Sequence, residues 1–412
     1  MKKKAKWTFM VYLAGDNNLS AAGDKDMGEM RAVGSTADVN IVAEFDNAGD
    51  RGTGRYHVQR DGLDEDVVSL GETDSGSPEV LLDFVDWAAE NYPAERYALI
   101  LWNHGGGWEP LEIDRIAHEV GARDYNEREA TERSATPLGR AFFRPTLEAI
   151  FSLPSAWDRA ICSDDGSGHS LDTVELGKVL AQAVDKLGQP LDLLGMDACL
   201  MSNLEVAYQA RPYVRYVVAS EENEPGDGWP YDAVLGRLVE TPDLATPDLA
   251  AHIVDVYIKS YVDRNHTGPV TQAALDLSRI DALAEPLDAL AEAVIAHMPD
   301  AADEVWDVQR DRKLARFWHM TLWDVSQFCE ELEKLTADDA VRRAAQGVRS
   351  ALAVGPGNCV IAEGHNGTKV ERCGGVTIYL IPPLLDVSRY YGELDYARDH
   401  RWLAMLEAYH AA

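Results

Sequence analysis

Positive charge is what this 412-residue chain has least of: 38 lysines and arginines stand against 70 aspartates and glutamates, a formal net charge of −32. The acidity is spread along the chain and not gathered in a tail. Such a surface repels nucleic acid and anionic membrane, and it attracts cations and basic peptides. Genome composition or salt adaptation accounts for the same balance, so the charge excludes partners without naming one. Cysteine is scarce too. The five residues Cys162, Cys199, Cys329, Cys359 and Cys373 are odd in number and form no CxxC pair, which argues against a disulfide framework and a structural zinc site. A reducing compartment fits best; a cytoplasmic protein is expected, with secretion as the alternative. No stretch approaches the length of a transmembrane helix. The start, MKKKAKWTFMVYLAGDNN, imitates a signal peptide, but its apolar run is short and ends in Asp16-Asn17-Asn18 without a small-x-small cleavage site. Its β-branched and aromatic residues point to a buried strand. There is no internal repeat and no low-complexity tract.

What is there is an alternation of strand-like and helix-like segments, which predicts an α/β fold with parallel pairing and right-handed crossovers. TFMVYLAG (8–15), VNIVAEFD (39–46), YALILWNHGGGW (97–108), LDLLGMD (191–197) and VRYVVASE (214–221) read as buried strands. GRYHVQRD (54–61) is more polar and reads as an edge strand or hairpin partner. Helices are expected from a cap at Asn18 or Ser20 to about Gly34, from Ser77-Pro78 onward, and over 170–188. Residues 109–158 break the rhythm with a polar segment rich in Arg and Glu, the mark of an exposed insertion. Beyond about 235 helical patterns dominate, roughly 246–263, 278–298, 301–316, 320–352 and 395–410, with strand-like runs at 271–277 and 375–381. The organisation expected is a catalytic domain over 1–234, interrupted at about 109–158, and a mainly helical region over 235–412 that lends strands to the sheet.

Ligands of open parallel sheets bind beyond the carboxyl ends of the strands. Two strands end there in reactive residues: ILWNHGGG places His104, and LLGMDAC places Cys199. If the strands are neighbours, imidazole and thiol share one crevice. A thiolate is the effective nucleophile, and an imidazole can generate it or protonate a leaving amine. A helix expected to start near Leu200 aims its amino-terminal dipole at the sulfur. Gly105 has no side chain to keep a substrate from its N–H, and the N–H of Cys199 is a second donor for an oxyanion. The plain alternatives are a surface histidine, a flexible glycine turn and an inert buried cysteine.

These stretches resemble the clostripain-like cysteine peptidases, relatives of caspases, gingipains, legumain and separase. The resemblance runs through WTFMVYLAGDNNLS, YALILWNHGGGW, AICSDDGSGHSLDTVEL, LDLLGMDACLMSNLEVAY and VVASEENEPGDGWPY, and on to VTQAALDLSRIDAL and VTIYLIP, in order along nearly the whole chain. It implies a caspase-like α/β/α sandwich with a mainly parallel central sheet and a mostly helical C-terminal region. It implies a His104–Cys199 dyad, with the imidazole as proton donor to the leaving amine, and an oxyanion hole from the N–H groups of Gly105 and Cys199. It also implies cleavage after Arg, and then Lys. A P1 guanidinium needs a carboxylate partner, and Asp197 and Asp227 are the candidates. Their alternatives are a helix cap for Asp197 and a turn for Asp227.

Members of this group are often zymogens cut between the two motifs. The interval here holds Arg115, Arg123, Arg128, Arg133, Arg140 and Arg144, so self-processing in the 109–158 loop is expected. No cofactor is required by this chemistry. Calcium is left open, because some relatives use it and SDDGSGHSLD (163–172) is acidic, though it lacks the ligand spacing of an EF-hand. His118, His169, His319 and His365 have no metal-ligand spacing, so no metal site is assigned. The expected partner is a peptide or protein with a basic P1 residue, met by a monomer, without nucleic acid or membrane. A peptidase of the same fold with a non-basic P1 preference is one alternative; a catalytically silent interaction module is another. HGGGW fits neither GxGxxG nor the P-loop, which weakens a nucleotide-binding reading.

Overall fold

The computed structural model describes residues 4–62, 64–108, 162, 170–317 and 320–412. The chain forms two compact units that interleave along the sequence: residues 1–199, 212–214 and 224–249, and residues 200–211, 215–223 and 250–412.

The first unit is built on β1 (Ala5–Gly15), buried at every position but one, as an apolar strand covered on both faces must be. α1 (Ser20–Val33) leads to β2 (Val39–Asn47), then β3 (Gly52–His57) and β4 (Glu65–Gly71). α2 (Pro78–Asn91), β5 (Ala94–Trp102), α3 (Thr173–Leu187) and β6 (Leu191–Asp197) follow. The strand order is β4-β3-β2-β1-β5-β6. Three neighbouring pairs are parallel, β1 with β2, β1 with β5, and β5 with β6, so the α/β class and the mainly parallel sheet are present as expected. β3 and β4 form an antiparallel margin, so the stretch at 54–61 is a hairpin partner and β4 is the edge. Glu44 of β2 and Arg55 of β3 are register partners, and their buried side chains bond at 2.5 Å, Nε to Oε2. Arg55 also reaches Asp83 of α2 at 2.8 Å.

Helix starts follow local chemistry in two of three cases. Ser77 accepts the Glu79 N–H ahead of Pro78, and Asp172 and Glu175 form a capping box ahead of α3. α1 departs from expectation: neither Asn18 nor Ser20 caps it, and Leu19 stands at the cap position without a side-chain bond. Since β1 is followed by β2 on one side and α2 leads to β5 on the other, right-handed crossovers place α1 and α2 on opposite faces.

After β6 the chain runs through α4 (Leu204–Ala210) and β7 (Val214–Ala219), then returns to the first unit for α5 (Tyr231–Glu240), which packs on α1. α6 (Thr246–Asp263) carries the chain on to β8 (Val270–Asp276), α7 (Asp281–Ala296), α8 (Asp300–Arg310), β9 (Arg316–Phe317) and β10 (Leu322–Asp324). α9 (Val325–Leu335), α10 (Asp339–Ala351), β11 (Val360–Asn366), β12 (Thr377–Tyr379), α11 (Asp395–Asp399) and α12 (Trp402–Ala411) complete it. In the second unit β7-β8-β11 and β12-β10-β9 are antiparallel, around a helical group of α7, α9, α10 and α12. The single helix expected over 320–352 is broken. β10 opens it, and Asp338 caps a new start by accepting the N–H groups of Ala340 and Val341. No strand was expected at β11, which is polar and half-buried along most of its length. Among the described residues no helix is long and apolar enough to cross a membrane.

Candidate active site

β5 and β6 are parallel neighbours in register, Trp102 opposite Asp197, so the residues that follow each leave the same edge of the sheet. The Asn103 N–H donates to the Asp197 carbonyl at 3.3 Å. Gly105 then comes down on the Cys199 peptide. A Cβ at Gly105 would lie 2.2 Å from the Cys199 carbonyl oxygen and 3.0 Å from its nitrogen, which no side chain tolerates. The glycine expected from substrate access is therefore also demanded by packing. Gly195 has a similar reason: a Cβ there would strike Ile100 and Trp229.

His104 is half-buried, and its Nε2 meets the Asn18 Oδ1 at 2.8 Å. Asn103 ties this end of β5 to β1, donating from Nδ2 to the Ala14 carbonyl at 2.6 Å. Asn17 donates to the same carbonyl at 3.0 Å and to the Asn103 Oδ1 at 3.4 Å. Asn17 and Asn18, which follow β1, thus brace the His104 turn instead of capping α1. The sequence held the signal, three polar residues at a strand end, but only strand order reveals their target.

Cys199 is half-buried, whereas Cys162, Cys329, Cys359 and Cys373 are buried. Burial pushes each of those four thiols up, Cys359 to about 12. The Cys199 sulfur accepts the Glu224 N–H at 3.3 Å, and the thiol donates to the Glu224 carbonyl at 3.8 Å. The helix expected from Leu200 begins instead at Leu204, capped by Asn203, after a turn in which Leu200 has φ 65°. The dipole argument for the thiol is corrected accordingly: the donor beside the sulfur is the amide of Glu224.

Asp197 is 4% exposed and caps no helix. Its Oδ2 accepts the Trp229 N–H at 3.2 Å and the Tyr231 hydroxyl at 2.9 Å. The Glu224 carboxyl is also its hydrogen-bond partner. Asp26 of α1 lies in the same group, its Oδ2 accepting Trp102 Nε1 at 2.8 Å. Burial raises all three acids, Asp197 to about 6 and Asp26 to about 8, and the Asp197 charge adds to the rise of Asp26 and Glu224. The cation beside them is Lys25, 3.5 Å from Asp26 and 3.0 Å from Glu29. Asp227 is different: it is 53% exposed, in a turn closed by the Gly228 N–H on the Pro225 carbonyl, with Lys25 bonded to its own carbonyl at 3.0 Å. Sequence reasoning missed Asp26, Glu224 and Tyr231. Glu224 stood in the quoted EENEPGDGWPY, but Asp26 is hidden in an ordinary amphipathic helix.

The arginines of 109–158, His118, His169, His319 and most of the acidic 163–172 stretch lie outside the described residues. His365 bonds Glu363 at 2.8 Å. Among the described residues one group has metal-ligating atoms within 4.8 Å of each other, Glu221, Asp324 and Cys373 in the second unit. A thiolate is a poor ligand for a hard cation, so this group does not fit calcium.

A half-buried thiol with an amide donor, an asparagine-held imidazole and a glycine turn on the thiol's own peptide can perform acyl transfer. Comparison with known proteins agrees. A family model described as the clostripain family matches residues 11–129 and 153–409. Clostripain of Hathewaya histolytica is 29% identical over 264 residues, 57% of this chain and 43% of that protein, so the match spans less than half of that relative. A secreted C11 cysteine protease of Bacteroides thetaiotaomicron, solved with an irreversible peptide inhibitor, matches 99% of this chain and 100% of its own at TM-score 0.61 and 19% identity. The structure called iotapain, from the same organism, matches 96% of this chain and 99% of its own at TM-score 0.64 and 17% identity. An inactive zymogen of a C11 protease from Parabacteroides distasonis matches 97% and 99% at TM-score 0.61 and 16% identity. At these identities the likeness to the solved structures is one of fold, and the fold is the caspase-like one that the resemblance implied.

Proposed function

The chain belongs to the clostripain family of cysteine peptidases, and from that premise we propose that it hydrolyses peptide bonds after basic residues, Arg before Lys, through Cys199 and His104. The observation that carries the chemistry is the seating of Gly105 on the Cys199 peptide, which brings the His-Gly turn to the nucleophile. In the reaction proposed, the Cys199 sulfur attacks the scissile carbonyl carbon, and the N–H groups of Gly105 and Cys199 meet the oxyanion. The C–N bond then breaks and the amine leaves with a proton from the His104 imidazolium. Water then adds to the thioester as its proton passes to His104, the C–S bond breaks, and the carboxylic acid leaves as the Cys199 thiolate is restored.

Asp197 is proposed as the P1 carboxylate, supported by its burial beside Asp26 and Glu224. A buried group of acids with little cationic balance favours a guanidinium or ammonium guest. Asp227 belongs at the rim, where Lys25 already engages it. Fluorogenic peptides with P1 Arg, Lys and Asp, given to wild type and Cys199→Ala, test the reading. Hydrolysis in the order Arg, Lys, with none for Asp or the variant, is expected. Hydrolysis only at non-basic P1 turns the reading to another specificity, and no hydrolysis at all turns it to a silent module. Self-cleavage in the 109–158 loop belongs to the same proposal. Intact mass spectrometry of both proteins is expected to show two associated chains for wild type and one for Cys199→Ala; equal masses overturn it.

A further inference from the structure

The segment 224–231 reads EPGDGWPY and has no regular structure until α5 begins at Tyr231. Its first residue seats the nucleophile: the Glu224 N–H donates to the Cys199 sulfur at 3.3 Å, and the thiol donates to the Glu224 carbonyl at 3.8 Å. Gly226 and Gly228 make such a backbone soft, so its course depends on ties to the rest of the first unit. Two side chains of α1 supply such ties. Lys25 and Glu29 stand one turn apart and pair at 3.0 Å, Nζ to Oε1. The Lys25 ammonium donates to the Asp227 carbonyl at 3.0 Å, in the middle of the segment. Glu29 accepts the Tyr231 N–H at 3.0 Å on its other oxygen, and that N–H is a first-turn donor of α5 that no carbonyl of its own helix can reach. The pair therefore grips the segment at its middle and at its end. Between these points the Trp229 N–H is held by Asp197 at 3.2 Å, and the Gly228 N–H closes a turn on the Pro225 carbonyl at 3.0 Å. α1 packs on α5, so the grip comes from a helix already fixed against the segment's far end. Burial lowers the Lys25 value, but the Glu29 bond and the charges of Asp26, Glu29 and Asp227 outweigh it and the net shift is upward, so the ammonium keeps its charge at neutral pH.

We propose that Lys25, braced by Glu29, is a positioning residue for the nucleophile: it clasps the 224–231 segment and so keeps the Glu224 backbone on the Cys199 sulfur. The inference rests on the role of Cys199 proposed above. Lys25 acts through the backbone it grips, three residues along the chain from the one that seats the thiol. With the clasp open, Glu224 drifts and the sulfur loses its fixed direction of attack, a loss paid in kcat and not in substrate binding.

The test compares the full chain as wild type, as Lys25→Met, which removes the donor and keeps an apolar stem, and as Lys25→Arg, which keeps charge and donors. Amide hydrogen exchange read by mass spectrometry on peptides covering 224–231 reports the clasp itself. The kcat and KM for a P1 Arg peptide report its use. In Lys25→Met, exchange over 224–231 is expected to quicken severalfold, and kcat to fall about tenfold with KM nearly constant. Lys25→Arg is expected to recover most of both. Unchanged exchange over 224–231 in Lys25→Met overturns the clasp. Faster exchange, or a lower melting temperature, with kcat unchanged makes Lys25 merely structural and overturns its tie to the nucleophile. A changed KM at constant kcat assigns the Lys25 charge to P1 recognition and overturns the positioning role while leaving the peptidase reading intact. Wild type that hydrolyses no peptide overturns that reading, and the positioning of its nucleophile with it.

Discussion

Residues 221–224 read Glu-Glu-Asn-Glu, and the two ends of that tetrapeptide enter two clusters of the same composition. In the first unit Glu224 joins Asp197 and Cys199. In the second, Glu221 joins Asp324 and Cys373. Each brings a cysteine, an aspartate and a glutamate together, the first with Asp26 as well, yet their physics differs. Cys199 is half-buried and its sulfur accepts a backbone N–H. Cys373 is buried, with its thiol pushed far up first by burial and then by the charges of Glu221 and Asp324. Asp324 is satisfied by the N–H groups of Gln327 at 2.6 Å and Gly374 at 2.7 Å, and Glu221 by that of Gly375 at 3.1 Å. Asp197, Glu221 and Asp324 are all buried, so the two clusters differ in the exposure of the thiol. Composition alone does not set a thiol's reactivity; access and its partners do.

The largest effect that would break this contrast is at the thiols. Cys199→Ala is expected to lower kcat/KM by roughly 10⁴-fold or more, whereas Cys373→Ala keeps activity within a few-fold; an active Cys199→Ala protein in a peptide assay sinks the assignment. Next comes Gly105→Ala. Its Cβ cannot fit against Cys199, so kcat is expected to fall about 10²–10³-fold, the loss of an oxyanion donor, with a lowered melting temperature. Unchanged kcat there removes the turn from the chemistry.

Alkylation of native protein by iodoacetamide sharpens the contrast without a mutation. One adduct, at Cys199, is expected by peptide mass mapping, and labelling at Cys373 in the folded state contradicts its burial. Asn18→Ala removes one bond to the His104 imidazole, and kcat is expected to fall about tenfold with KM nearly constant, as for loss of a positioning bond.

The smallest effect is on stability at the closed cluster. Glu221 is held well above its ordinary value by burial, then by the Asp324 charge, so the folded state keeps a proton that the unfolded chain loses as pH rises. Stability therefore falls as pH climbs from the ordinary carboxylate range toward the raised folded value. Glu221→Gln is expected to narrow the gap in melting temperature between pH 5 and pH 8 by a few degrees. An unchanged gap in thermal unfolding removes Glu221 as a cause.

Much of the site was legible beforehand because apolar runs, and the residues that end them, are local facts. β1, β2, β5 and β6 were readable from continuous burial patterns, and His104 and Cys199 stood at their ends. β4 and β11 were not readable, since a half-exposed strand has no strong period of its own. The start of α4 was misplaced because LMSN carries no helix signal until Asn203 caps, and Leu200 takes a left-handed turn that its residue type does not announce.

By itself the sequence determined the α/β alternation, the scarcity of positive charge and the two strand ends that carry imidazole and thiol, because period and composition act within a few residues. Only the tertiary structure decided that Asn18 holds His104, that Gly105 must be glycine, and that Asp26, Asp197 and Glu224 meet behind Cys199. Those interactions join residues as far apart as Asp26 and Asp197, and their energies come from burial and the charges it brings together, which no local pattern encodes.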